Sequence, residues 1–173
     1  MNSKHEILLY ALTIATLIAV AAGCTSPNEC LQNMDVAYKV KFMKVAYDQG
    51  SESYVASQVS VVTSVHGLGR DSMLYDSVQV NGMALPLQSN DTISAFVICQ
   101  QAVSYGDTVM VSDTLWVIHD NELEFVSVEC GCAVQNKVRD VIHTVNMIDS
   151  VARVADMVDR KSIENLKIYV RNR

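Results

Sequence analysis

From Ile7 to Ala22 the chain carries no charged residue, and beyond residue 34 it changes character to a mostly period-two alternation. The uncharged run, with Lys4 ahead of it, has the order of a secretory leader and falls short of the ~20 residues that span hydrocarbon as a helix. The alternation is the period of a strand with one face buried. Val36, Tyr38, Val40 and Phe42 alternate with Ala37, Lys39, Lys41 and Met43, and Val59, Val61, Thr63 and Val65 alternate with Ser60, Val62, Ser64 and His66. Gly67-Leu68-Gly69 then reads as a turn. Asn81-Gly82 predicts a tight hairpin, because both central positions of a type I′ turn need positive φ. Further strands are predicted at Met83–Leu87, Ile93–Cys99, Thr108–Val111, Leu115–His119, Leu123–Val128 and Leu166–Val170, with His119-Asp120-Asn121-Glu122 turning between two of them. Val141, Val145, Ile148, Ala152, Ala155 and Val158 also fit a helical stripe, but the β-branched residues early in that segment favour strand. Many short strands at this spacing predict a mainly β protein, a single antiparallel β-sandwich, immunoglobulin-like or similar, over residues 35–173.

The N-terminus changes the picture by assigning a compartment. Small residues at Ala21, Ala22 and Gly23 directly before Cys24 resemble the lipobox of bacterial lipoproteins, with Ala21 where that pattern more often has Leu. Residues 1–23 are thus expected to be a lipoprotein signal peptide and residues 24–34 a tether lipidated at Cys24, which makes the membrane the first partner. After Cys24 the chain reads Thr25-Ser26-Pro27-Asn28-Glu29, without the acidic run that resembles a surface-export signal. The expected location is the periplasmic face of the outer membrane. The net charge of −6 is unchanged when the leader's Lys4 and Glu6 are removed, and Lys and Arg are scattered. Both features exclude nucleic acid as a partner, since phosphate binding needs a basic stripe.

With Cys24 assigned to lipid, four thiols remain in an oxidising compartment. Bridging Cys130 to Cys132 across one glycine strains disulfide geometry, which leaves two of three connectivities. The preferred one pairs Cys30 with Cys130 and Cys99 with Cys132. The first of these closes a loop on the order of 100 residues, about 4 to 5 kcal/mol in the chain-entropy model. Cys130-Gly131-Cys132 has no CxxC pair or paired His beside it, so no metal is expected.

Catalytic motifs are missing from the sequence as well. There is no GxSxG elbow and no SxxK, and Gly67-Leu68-Gly69 lacks the third glycine of a dinucleotide site. His66, His119 and His143 are single and unpatterned and read as surface or strand-end residues. No cofactor and no catalytic residue are expected; the alternative is an envelope glycan hydrolase whose paired carboxylates, drawn from Asp120, Glu122 and Glu129, meet only in the fold. Tyr47, Tyr54, Tyr75 and Tyr105, placed in loops, are candidates for contact with a glycan or a partner protein. Asp followed by Ser or Thr and then an aliphatic residue or Met recurs six times, giving Ser72, Ser77, Thr92, Thr108, Thr114 and Ser150 as candidate O-glycosylation sites. The triplet resembles the acceptor signal of general O-glycosylation in Bacteroidales, and equally an Asp that caps a turn before a strand.

The ordered set VVTSVHGLG, LYDS, ALPL, DTISAF, DTLWV, EFVSVECG and NLKIYV, behind a lipobox cysteine and a second cysteine, resembles an uncharacterised lipoprotein family of Bacteroidales, domain of unknown function 6452. The resemblance implies a small β-rich envelope lipoprotein with Cys30 and Cys130 as its usual pair. Cys99 and Cys132 stand where such sequences more often carry apolar residues, which suits a second bridge. The family brings no catalytic residues. The expected function is a non-catalytic binding or assembly module of the cell envelope.

Overall fold

A computed structural model describes residues 30–104, 107–161 and 164–171. The leader, Cys24 and Tyr105 lie outside them. Eleven strands are found among the described residues: β1 (Tyr38–Asp48), β2 (Ser53–Gln58), β3 (Val61–Gly67), β4 (Met73–Val80), β5 (Gly82–Leu85), β6 (Ile93–Ser104), β7 (Asp107–Ser127), β8 (Gly131–His143), β9 (Ile148–Arg153), β10 (Met157–Val158) and β11 (Leu166–Val170). One sheet runs β2-β1-β11-β9, with β5 also paired to β1, and the other runs β10-β8-β7-β6-β3-β4. Tyr38, Val40 and Phe42 from β1 and Leu166 and Ile168 from β11 pack against Val65, Phe96, Ile98, Leu115 and Val117 from the second sheet. These are the inward positions of the period-two pattern, and together they make the core of a β-sandwich.

The described chain divides into this β unit, Asn33–Val126 with Cys132–Arg173, and a small unit in which residues 30–32 join Ser127–Gly131. In the small unit Cys30 and Cys130 form a disulfide with Cα atoms 4.7 Å apart. Cys130 N–H donates to Ser127 Oγ there at 3.1 Å.

The second expected bridge does not form, and Cys99 and Cys132 are free thiols, half-buried and exposed respectively. Register explains this. Cys99 lies opposite Ser112 of β7, whereas Cys132 is at the start of β8, just past the other end of β7. That is roughly 14 residues of strand, on the order of 40 Å, against the ~7 Å a disulfide tolerates.

Three turn predictions are corrected in informative ways. Asn81-Gly82 closes no hairpin, because β4 and β5 belong to different sheets. Gly82 is required by close approach to β1, where a Cβ would stand 2.6 Å from the Val40 carbonyl oxygen. The break expected at 119–122 is also missing, and β7 runs through it without interruption. Third, the loops assigned to Tyr47 and Tyr54 are strand. These residues face each other across β1 and β2, with ring centroids 5.4 Å apart. Residues 141–158 are strand and loop, without helix. One pair in the sandwich is parallel, β1 with β11, and Asn165 sets it: Lys39 N–H donates to Asn165 Oδ1 while Asn165 N–H donates to the Lys39 carbonyl.

The remaining predicted break, at Asp113, is replaced by a buried carboxylate. Asp113 is 1% exposed. Its Oδ1 accepts from the Thr144 hydroxyl and from Asn146 N–H, and its Oδ2 from Met147 N–H at 2.7 Å and Ile148 N–H at 2.8 Å. Burial pushes this carboxyl upward, but the bonds from Thr144, Ile148, Asn146 and Met147 outweigh it and hold Asp113 below the usual carboxylate range. Its stabilising share is therefore present above about pH 4 and is lost as pH falls through the depressed value. Asp113→Ala strands three amides and a hydroxyl and should cost about 3 to 5 kcal/mol, read as a lowered urea midpoint. A midpoint within about 0.5 kcal/mol of wild type would contradict this. Separately, denatured and unreduced protein carrying Ser at position 24 should titrate two thiols, one of which reacts quickly before denaturation.

Candidate binding cleft

The Gly67-Leu68-Gly69 turn builds a site. Leu68 N–H donates to the Ala95 carbonyl at 2.9 Å, Gly69 takes φ of 73°, and Arg70 N–H returns to the Gly67 carbonyl at 3.0 Å. The reversal lays the Arg70 stem over Gly67, where a Cβ would lie 3.1 Å from Arg70 Cδ. Glycine therefore does two jobs here, supplying the left-handed residue and leaving room for the arginine. Arg70 borders a cleft of about 410 Å³ with Leu74, Pro86, Leu87, Ala95 and Phe96 as its apolar part. Ser72 and the run Gln88-Ser89-Asn90 give it a neutral polar rim, and Arg70 is its one charged lining residue.

The wall made by residues 86–92 is held from inside the sandwich. Asn121 Nδ2 lies within 2.8 to 3.1 Å of the carbonyl oxygens of Gln88, Ser89 and Asp91, which orients its Oδ1 toward His119 Nδ1 at 2.8 Å and Asn136 Nδ2 at 2.6 Å. His119 Nδ1 must then carry the hydrogen, and Nε2 accepts from the Ser94 hydroxyl at 2.8 Å. Ser94 Oγ in turn accepts Gln88 N–H at 2.8 Å, and His119 N–H donates to the Thr92 carbonyl at 2.8 Å. Ser94, His119 and Asn121 have the mutual spacing of a nucleophile, a base and an orienting group. Yet Ser94 is 1% and His119 0% exposed, and every donor in the set is matched within the protein. The array is a clasp on the loop.

Burial pushes His119 below its ordinary value, and the Asn121 hydrogen bond and the Asp91 and Asp120 carboxylates oppose this without reversing it. The unfolded chain then binds a proton near pH 6.5 that the native state refuses, so stability is full above that value and falls as pH drops below it.

A second cleft of similar size is bordered by Lys39, Lys41, Tyr75 and Glu164. Within it Lys41 Nζ lies 2.8 Å from Glu164 Oε2. Tyr75 is half-buried, and its hydroxyl accepts from Ala84 N–H at 2.9 Å.

The other candidate residues are dispersed. Asp120 is 3.2 Å from Arg139, Glu122 is exposed on the same strand, and none of Asp120, Glu122 and Glu129 lines either cleft. His66 and His143 place Nδ1 near backbone carbonyls at 3.1 and 2.8 Å. Ser72, Ser77, Thr92, Thr108 and Ser150 are exposed, whereas Thr114 is half-buried beside the buried Asp113. Ser77 adopts φ of 50° at an irregularity in β4, with its N–H on Ser64 Oγ at 2.9 Å. Among the described residues no group of three or more His, Cys, Asp or Glu could hold a metal ion.

A family model described as a family of unknown function, DUF6452, matches residues 59–170. The chain belongs to the DUF6452 family. No curated protein and no solved structure matches it. The DUF6452 match contains the Arg70 turn, the 86–92 loop and all four side chains of the clasp, and it leaves out β1 and β2.

The clasp escaped the reading of the sequence, although a signal was available. Leu115, Val117, His119 and Asn121 continue one core-facing alternation, so the polar pair interrupts no strand but extends its buried face. Urea midpoints measured from pH 7.5 to 5.5 should fall for the wild type and stay level for His119→Gln. A wild-type midpoint that holds constant over that range would contradict the buried neutral imidazole.

Proposed function

We propose that this DUF6452 protein is an outer-membrane lipoprotein, exported by residues 1–23, acylated at Cys24 and held on the periplasmic face, where its β domain acts as a non-catalytic binding or assembly module. What supports a binding role is the pre-organised Arg70 cleft, a concave site whose turn and loop walls are both fixed before any ligand arrives. Pre-organisation lowers the entropy lost on association, which is a reason to maintain such a wall at the cost of burying Ser94, His119 and Asn136. The disulfide of the small unit fits an oxidising compartment.

The anchor is tested by Cys24→Ser: the variant should leave the membrane pellet, and continued sedimentation at the processed size would contradict acylation. The binding role is tested by crosslinking in intact envelopes from a photoreactive residue at Leu74. A discrete adduct that disappears in Asn121→Ala is expected; no adduct from the cleft, alongside unimpaired folding, would contradict it. O-glycosylation belongs to the same proposal at the exposed triplets ending in Ser72, Ser77, Thr92, Thr108 and Ser150. Intact mass of natively expressed protein should exceed polypeptide plus lipid by whole sugar increments, and a mass equal to polypeptide plus lipid would remove the glycan.

A further inference from the structure

Arg70 is a cation without a counter-ion. Among the described residues no carboxylate pairs with it, whereas Arg139, Arg153, Arg160 and Arg171 each lie beside an acidic partner. Its side chain is exposed and its stem lies beside Gly67, where an added Cβ would stand 3.1 Å from Arg70 Cδ. A planar guanidinium without a carboxylate partner presents parallel N–H groups suited to a two-oxygen anion. We infer that the cleft binds the terminal carboxylate of a peptide whose last side chain is apolar, with the carboxylate on Arg70 and that side chain against Leu74 and Leu87.

Each part of the ligand follows from a different part of the site. The anion follows from Arg70, the one charged lining residue. An aliphatic rather than a saccharide body follows from the cleft's apolar side: it is Leu74, Pro86, Leu87 and Ala95, while Phe96 is 4% exposed and offers no ring face for a sugar to stack on. A peptide backbone follows from the rim, where the amide side chains of Gln88 and Asn90 and the Ser89 hydroxyl supply donors and acceptors at neutral charge. A volume of about 410 Å³ is at the lower end for ligand pockets, which fits the end of a chain and not a folded surface.

This inference rests on the binding-module reading, and the experiment separates the two. A fluorescein-labelled pentapeptide ending in leucine is prepared with a free terminal carboxylate and as its terminal amide, and fluorescence anisotropy is measured with the detergent-solubilised full chain. The free acid should bind at least about tenfold more tightly than the amide. Arg70→Gln should abolish that difference, Arg70→Lys should retain part of it, and Arg171→Gln should leave it unchanged. Gly67→Ala, which crowds the Arg70 stem without removing charge, should weaken the free acid several-fold and leave the amide as it was. Equal binding of acid and amide, with loss of both in Leu74→Asp, would overturn the carboxylate and keep the cleft as a binding site. An acid preference that survives Arg70→Gln, or displacement of the acid by millimolar inorganic phosphate, would also overturn it. Binding of neither peptide would overturn the inference while the crosslinking from Leu74 judges the module reading independently.

Discussion

A backbone amide carried into a dry interior has to be matched, and in this protein buried side chains do the matching. Asp113, His119, Asn136 and Asn165 are each 3% exposed or less, and each is hydrogen-bonded within the protein. Asp113 takes the amides of residues 146–148, Asn165 the entry into β11, and His119 with Asn121 the loop at 86–92. An unmatched buried polar group costs on the order of 1 to 3 kcal/mol, more when charged, so each substituted partner exposes the loop it serves. The apolar core defines two sheets; these polar residues define the connections between strands.

That division explains where a rigid site can exist on a protein otherwise made of exposed turns. Loops on the surface of a sandwich are ordinarily its most variable and mobile parts. The 86–92 loop is instead tied to β6 by buried Ser94 and to β7 by half-buried Asn121. Opposite it, the Gly67–Arg70 reversal is tied to Ala95 by a backbone bond. Both walls of the cleft thus inherit the order of the central strands. The binding role is an inference from this arrangement, in which buried Ser94, His119 and Asn136 stand behind one wall of a concave surface.

The apolar framework was legible in the chain because it depends on period two alone. The inward residues of β1, β3, β6 and β11 follow directly from alternation, and the last strand begins and ends where its pattern does. The turn residues at Asp113 and Asn121 were misread for one shared reason. Asp and Asn stabilise turns by bonding to nearby backbone, and the same groups bond to distant backbone when a strand carries them inside. Asp113 and Asn121 do the second, which local sequence cannot distinguish from the first. The exposed hairpin of β1 and β2 was missed because neither face of β2 is buried, so no alternation marks it. Of the two expected disulfides, Cys30–Cys130 forms, and Cys99–Cys132 failed likewise on a non-local quantity, the register that sets Cys99 opposite Ser112. Arg70 left no mark at all, since its significance lies in the partner it lacks.

The claim that one buried clasp maintains the cleft wall is tested most directly by amide hydrogen exchange on wild type and Asn121→Ala. Peptides covering residues 86–92 should exchange markedly faster in the variant while those covering β6 and the first half of β7 keep their protection. Unchanged protection across 86–92, in a variant shown to lack the Asn121 amide, would mean that the loop is ordered by something else and that the clasp is incidental to the site.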